Sequence, residues 1–370
     1  MAALRIGPGD LQMVRRFRPP AAGEQQDESD RPHRRLPGAS SNAFAHLCRN
    51  PPPGQWFTAR EPDTRGGMTR APSIRGIART PRLAPVVAAA LAAGPASAHA
   101  DHAIAPDHVW TAWTFDPLVL IPLLLALWLY IRGRRCLPAA RRRAAEAWSF
   151  LAGIIVLVLA LVSPIDALGE TLLSFHMVQH MLLVAVAPPL LLLGRPGTAF
   201  IAALPGGTIP GLASHPVSRP LVRGLIFLTG LVPATLLHAV ALWLWHVPLL
   251  FEAALLDEWV HTLEHFSFFA TALLFWFAVL AAGRVQRTAP SGALAAFVTF
   301  LHSGMLGGIL SLAPAPLYPA YGDRPALWGL GLLADQQLAG AIMWVPIGPA
   351  YLAAALWLLF KILNTRDARV

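Results

Sequence analysis

Residues 171–193 read TLLSFHMVQHMLLVAVAPPLLLL, and this stretch decides the fold. It holds no Asp, Glu, Lys or Arg, and it is as long as the about 20 apolar residues that cross a bilayer as one helix. Similar runs recur along the chain, since 55% of its 370 residues are hydrophobic and only 13% are charged. Such a composition is typical of a polytopic membrane protein and excludes an ordinary soluble domain. The sequence therefore predicts an all-α bundle of membrane-spanning helices.

Seven spans are predicted within a membrane domain that covers residues 116–362. They are residues 116–132, 147–163, 171–193, 224–246, 259–282, 292–314 and 336–360. Arginines concentrate in the loops after the first, third and fifth spans, whereas acidic residues occupy the loops between them. Because basic loops stay in the cytoplasm, we expect the N-terminus outside and the tail, residues 363–370, in the cytoplasm. The net charge of +9 comes from these loops and the N-terminal region, so it does not indicate nucleic-acid binding.

The first hundred residues are predicted to precede the membrane domain. Residues 1–67 are rich in Pro, Arg and Gly without periodicity, which indicates a disordered or mis-assigned extension. Residues 68–98 show the basic start, short apolar run and A-x-A site of a signal peptide. Cleavage after Ala98 leaves a short external segment, residues 99–115. Its first residue, His99, would offer an amine and an imidazole to copper, but we favour the interpretation that this is a polar tail that merely contains histidine.

Histidines inside the predicted spans are the candidate functional residues, because lipid offers an imidazole no water. The candidate metal ligands are His176, His180, His246, His261, His265 and His302. The pairs His176/His180 and His261/His265 have i, i+4 spacing, which places both rings of a pair on one helical face. All six are predicted to lie in the outer half of the membrane. His238 lies deeper, and we expect it to hydrogen-bond a neighbour.

Ligand chemistry narrows the choice of metal. Imidazole suits Cu, Zn, Fe and Ni, and carboxylates are too few near these histidines for Ca or Mg. Haem is the main alternative, but rings four residues apart on one helix are too close to serve two haems. The spacing therefore favours a small ion and leaves haem open.

Other polar and sulfur-containing residues near the histidines have structural interpretations. Glu264 is expected to orient His261 or to face lipid headgroups, and Asp335 is expected to cap the seventh span. The methionines are expected to pack in the bundle rather than bind metal; they are Met177, Met181, Met305 and Met343.

Several short motifs occur in a fixed order along the chain. They are residues 175–181 (FHMVQHM), 187–189 (APP), 193–196 (LGRP), 244–248 (LWHVP), 261–265 (HTLEH), 301–305 (LHSGM) and 335–340 (DQQLAG). Together they resemble the CtaG-like cytochrome c oxidase assembly factor family, over about residues 105–362. The resemblance implies a multi-pass protein of the bacterial cytoplasmic (inner) membrane that helps haem–copper oxidases mature and handles copper. It also implies cytochrome c oxidase subunits, and periplasmic copper carriers, as partners.

The predicted function is therefore an assembly factor for cytochrome c oxidase that binds copper through an outward-facing histidine cluster. No nucleophile, phosphate-binding loop or acid/base pair is evident, so we do not expect an enzyme. Two alternatives stay open: a haem-binding membrane electron-transfer protein, and a copper transporter. A transporter needs polar residues that continue through the inner half of the membrane, and few lie beyond His238.

Overall fold

The computed structural model describes residues 103–204, 215–216, 218–345 and 348–367. This part of the chain is helical and contains no strand. The predicted extension (residues 1–67), the signal peptide (residues 68–98) and His99 lie outside the described residues, as do the last residues of the predicted tail.

Thirteen α-helices follow one another in the described part. They are α1 (Pro117–Cys136), α2 (Ala144–Leu161), α3 (Pro164–Gly169), α4 (Leu173–Met181), α5 (Ala187–Leu193), α6 (Pro196–Ala203), α7 (Arg219–Leu228), α8 (Leu231–Trp245), α9 (Pro248–Leu256), α10 (Glu258–Ala282), α11 (Ala289–Leu312), α12 (Leu332–Trp344) and α13 (Gly348–Asp367). A π-helical turn, Leu182–Val186, joins α4 to α5.

Six segments are long and apolar enough to cross a membrane. They are Pro117–Cys136, Ala144–Leu161, Leu173–Leu193, Glu258–Ala282, Ala289–Leu312 and Leu332–Asn364. The pair α7 and α8 makes a seventh if it is counted as one span. The prediction of an all-α membrane bundle with about seven spans is thus confirmed, while the side of the membrane that each end faces stays a prediction.

The predicted fourth span, residues 224–246, is not one straight helix. Helices α7 and α8 meet at an angle of 78°. Gly230 leaves the helical conformation with φ −64° and ψ 147°, and the ring of Pro233 would clash with the carbonyl of Thr229 in a continuous helix. Helix α7 has no buried residue and carries apolar and arginine side chains, which is typical of a helix lying along a membrane interface.

The π-helical turn below the first histidine pair results from two adjacent prolines. The carbonyl of Val184 would accept from residue 188 in an α-helix, or from residue 189 in a π-helix. Both are prolines and have no N–H. The indole Nε1 of Trp276 donates to this carbonyl instead, at 2.8 Å. Helix α10 is thereby attached to the segment that carries His176.

One end of the bundle, which we call the histidine end, holds the loops around residues 104–116, 163–172, 246–258 and 313–331. The Tyr321 hydroxyl donates to the carbonyl of Gly169, and the Tyr318 hydroxyl to that of His246, both at 2.9 Å. Burial raises the pKa of both phenols, so each remains a donor.

The opposite end, the arginine end, is held by separate contacts. The Tyr130 hydroxyl donates to the carbonyl of Gly194 at 2.8 Å, and its ring stacks on Phe150 with centroids 3.8 Å apart. The Lys361 ammonium donates to the carbonyl of Gly283 at 2.6 Å. Most loop arginines lie here, as the charge pattern predicts.

Candidate metal centre

Two histidine pairs face each other inside the bundle, near the histidine end. The rings of His176 and His180 on α4 have centroids 4.2 Å apart, and those of His261 and His265 on α10 are 4.1 Å apart. Across the two helices, the centroids of His176 and His261 are separated by 5.4 Å, and those of His180 and His265 by 5.2 Å. The i, i+4 spacing places the two rings of each pair on one face, and the tertiary structure brings the two faces together into one compact group of four imidazoles.

His246, which ends α8, extends this group on the side of His180, at a centroid distance of 6.4 Å. Its Nδ1 lies 2.7 Å from the carbonyl of Leu242. A carbonyl only accepts, so Nδ1 carries the proton and Nε2 keeps a lone pair in the neutral ring. This is the arrangement usual for a metal-binding histidine, whose second nitrogen is held by a backbone carbonyl.

Glu264 is the site residue whose role sequence reasoning misjudged. Its side chain is completely buried. Its Oε2 lies 3.7 Å from Nε2 of His176, and its Oε1 lies 3.7 Å from Nε2 of His180. The carboxylate therefore lies between two histidines of another helix and does not merely orient His261. The sequence feature that could have placed Glu264 in the site is its spacing, because it follows His261 by three residues and shares its face of α10.

One subset has the geometry of a metal site. Single ligand atoms from each of its members all lie within 4.8 Å of one another; the members are His176, His261, Glu264 and His265. We use the name histidine cluster for these four together with His180 and His246.

Unsatisfied polar atoms are concentrated in the cluster. Those without a hydrogen-bond partner in the described structure are Nε2 of His176, both ring nitrogens of His180, Nε2 of His246, both carboxylate oxygens of Glu264, and Nε2 of His265. Buried polar atoms in proteins are nearly always paired, and each unpaired one costs about 1–3 kcal/mol. A bound cation would satisfy lone pairs of this kind, so the residues present fit a metal ion.

His302 is not brought into the cluster. Its Nδ1 accepts a hydrogen bond from the indole of Trp243 on α8, at 3.3 Å. In a neutral ring the proton then resides on Nε2, which leaves no lone pair there for a metal. The structure thus places this candidate ligand against Trp243 of α8.

His238 lies deeper in the bundle, as predicted. Its Nε2 lies 3.1 Å from the hydroxyl of Tyr351, and its Nδ1 lies 3.4 Å from that of Thr271. The prediction that it hydrogen-bonds neighbours is confirmed. Three of the four methionines are buried, as expected for packing residues, whereas the fourth is exposed; the buried ones are Met177, Met181 and Met343, and the exposed one is Met305.

Asp335 caps a helix, but not the one predicted. Its Oδ2 accepts from the N–H of Leu173 at 2.6 Å, and its Oδ1 accepts from that of Ser174 at 3.2 Å. These are the first residues of α4, so α12 holds the start of the helix that carries His176. The next residue, Gln336, accepts from the N–H of Leu317 at 2.6 Å and attaches the preceding loop to the same helix.

A cavity of about 780 Å³ leads from the loops of the histidine end to the cluster. Its inner wall includes His176, His261 and His265, and its outer part includes Asp166, Glu170, Glu258 and Arg324. Most of the remaining lining is apolar and comes from α1, α2, α9 and α10. The cluster is thus buried within the bundle and yet borders a continuous space.

Comparisons with known proteins give one family. The family model described as cytochrome c oxidase caa3 assembly factor matches residues 125–365. An uncharacterized protein of Mycobacterium bovis is 27% identical over 252 residues, which cover 64% of this chain and 37% of that protein. An uncharacterized protein of Mycobacterium leprae is 26% identical over 251 residues, with the same shares. The chain therefore spans well under half the length of these relatives. No solved structure matches the chain.

Proposed function

This chain belongs to the cytochrome c oxidase caa3 assembly factor family, and on that premise we propose that it assists oxidase assembly by holding copper at the histidine cluster. The role is that of a carrier or assembly partner and not of an enzyme. It acts in the bacterial cytoplasmic membrane with the histidine end facing outwards, where oxidase subunits and periplasmic copper carriers are its partners. The outward orientation rests on the positive-inside rule, since most loop arginines lie at the other end.

The unsatisfied lone pairs of the cluster carry this proposal. His176, His261, His265 and Glu264 are the residues that would hold the ion, because their ligand atoms lie within 4.8 Å of one another. His180 and His246 lie beside them and add two further imidazoles. Imidazole binds both oxidation states of copper, whereas a carboxylate favours Cu(II). Binding weakens at low pH, because imidazoles must be neutral to coordinate a metal.

The packing of the rings argues against a haem within the cluster. The ring centroids within each pair are only 4.1–4.2 Å apart, and the two pairs face each other at 5.2–5.4 Å. This leaves no room for a macrocycle between facing imidazoles. The family relationship likewise favours assembly over transport.

Copper loading of the purified protein tests the proposal. We expect stoichiometric copper and no Soret band in the wild type. A variant with alanine at His176, His180, His261 and His265 should lose the copper. His302→Ala is the matched control and should retain it, because His302 contacts Trp243 outside the cluster. Copper retained by the fourfold variant, or a Soret band in the wild type, would contradict the proposal.

A cellular experiment tests the role in assembly. In a strain that lacks the native protein, His176→Ala and His265→Ala should insert normally into the membrane and yet leave cytochrome c oxidase activity low. His302→Ala should restore that activity. Full activity with both cluster variants would show that oxidase assembly does not depend on the cluster.

A further inference from the structure

One face of α10 runs along the cavity from the loop region to the cluster. Glu258, His261 and His265 all line the cavity, and their spacing of three and four residues places them on the same face. Glu258 and His265 are seven residues apart, which corresponds to about 10 Å along a helix axis. The cavity therefore spans about two helical turns between an exposed carboxylate and the buried imidazoles.

Carboxylates become progressively more buried along this route. Glu258 is exposed, whereas Asp166 in α3 and Glu170, directly after α3, are half-buried. Glu264, inside the cluster, is completely buried. Apart from the histidines, Arg324 is the one basic residue among the described residues that line the cavity, and its guanidinium donates to the backbone carbonyl of Glu170 at 2.9 Å. Acidic groups thus outnumber basic ones along the walls, and a cleft with apolar walls and one sign of charge attracts counter-ions.

The electrostatics at Glu170 agree with this excess of negative charge. Burial raises the pKa of Glu170 to about 8, and the neighbouring charges of Asp166 and Glu258 raise it further against the opposing effect of Arg324. With this pKa the carboxyl group of Glu170 is mostly protonated at neutral pH, and a divalent cation in the outer part of the cavity would favour its ionised form by displacing the proton.

The inner end of the cavity independently points to a ligand. His176 lines it and is only 2% exposed. Its Nε2 has no hydrogen-bond partner among the described residues. An unsatisfied metal-binding nitrogen therefore lies at one end of the same space that has carboxylates at the other.

We propose that this cavity is the path by which a divalent cation reaches the histidine cluster, and that Asp166, Glu170 and Glu258 receive the cation at its mouth. The inference rests on the proposed copper site and adds the route and the oxidation state. Carboxylate oxygens favour Cu(II) over Cu(I), so the ion that passes them is the oxidised one. Within the described residues, only the cluster gathers three or more ligand groups tightly. The mouth carboxylates therefore attract the ion and pass it on, and do not retain it.

The role of these carboxylates is tested by rapid mixing of copper(II) sulfate with the metal-free, detergent-solubilised full chain. The rate of copper association is followed by the quenching of tryptophan fluorescence. Trp113 lines the cavity and provides a reporter. The double variant Asp166→Asn/Glu258→Gln should bind copper about 10-fold more slowly at low ionic strength, since steering of this kind changes association rates by about 10-fold or more. Its copper stoichiometry and dissociation rate should match the wild type. The difference should largely vanish in about 1 M salt, where the Debye length is about 3 Å.

The control variant Asp107→Asn/Asp323→Asn removes the same charge from two exposed residues outside the cavity lining. It should associate at nearly the wild-type rate. Equal rates in the cavity variant and the wild type, or equal slowing in both double variants, would overturn the route. If the cavity double variant does not fold, Glu258→Gln alone is measured, because Glu258 is exposed. A wild type that binds no copper would overturn the copper site as well, whereas copper bound at an unchanged rate overturns the route alone.

Discussion

Asp335 caps a helix that begins 162 residues earlier in the chain, because its Oδ2 accepts a hydrogen bond from the N–H of Leu173 at 2.6 Å. The carboxylate is completely buried and also accepts from Ser174. Helix α4 starts at these residues, and His176 follows within its first turn. The position of the first histidine pair is therefore set by a side chain of α12.

Removing this cap should destabilise the bundle. Asp335→Ala leaves two buried N–H groups without an acceptor, each at a cost of about 1–3 kcal/mol. We expect a clearly lower thermal midpoint in detergent and weaker copper binding, because the start of α4 is released. Asp323→Asn, at an exposed position in the same region, should change neither quantity. A midpoint for Asp335→Ala equal to that of the wild type would show that the cap is dispensable.

Two glycines allow α11 and α12 to cross closely. A Cβ atom on Gly340 would lie 2.6 Å from the carbonyl oxygen of Gly307 and 2.5 Å from the backbone nitrogen of Ser311. Gly340→Ala should therefore destabilise the protein by about 1–3 kcal/mol through overpacking. By contrast, a Cβ atom on Gly308, the residue after Gly307 in α11, would have no other atom within 4 Å. Gly308→Ala should be neutral or slightly stabilising, and equal unfolding temperatures for the two variants would contradict the close crossing.

The bond from Trp276 to the carbonyl of Val184 predicts an energetic coupling. Trp276→Phe removes the donor and should cost about 1–3 kcal/mol in unfolding free energy. In a Pro188→Ala background the restored backbone N–H can serve the same carbonyl, so the same change should cost less. A double-mutant cycle measures the difference. Additive effects of the two substitutions would show that the indole does not replace the missing backbone donor.

Glu170 should contribute a pH dependence to stability. Its pKa is raised from 4.5 to about 8 in the folded protein, chiefly by burial. The folded state therefore binds this proton more tightly than the unfolded state. Its stabilising contribution is complete below pH 4.5 and is lost as the pH rises towards 8. We expect the midpoint temperature of thermal unfolding of the metal-free protein, measured between pH 5 and 9, to fall more steeply with rising pH for the wild type than for Glu170→Gln. Parallel profiles would contradict the raised pKa.

Glu264→Gln tests the carboxylate at the centre of the cluster. The substitution keeps the shape and removes the charge between His176 and His180. We expect at least a 10-fold loss of affinity for Cu(II), as is common when a ligand or its supporting group is altered. The loss for Cu(I) should be smaller, because soft ions depend less on carboxylate oxygen. Chelator competition in each oxidation state gives both values, and an unchanged Cu(II) affinity would exclude Glu264 as a ligand.

The sequence by itself determined the class of fold and most of the cluster. Long apolar runs have few stable arrangements in lipid other than helices, and i, i+4 histidines share a helical face whatever their surroundings. These local rules bring His176 beside His180 and His261 beside His265 without knowledge of the tertiary structure. They also indicate the two ends of the bundle from the distribution of arginines.

Only the tertiary structure decided which of these residues meet. Periodicity gives the face of a residue on its own helix but not the helix that lies opposite. Glu264 therefore lies between the histidines of α4, and His302 contacts Trp243, although the sequence predicted neither position. Asp335 likewise caps α4 and not its own helix, since its bonds join groups 162 residues apart. The cavity beside α10 also depends on how helices distant in sequence pack, which local propensity does not encode.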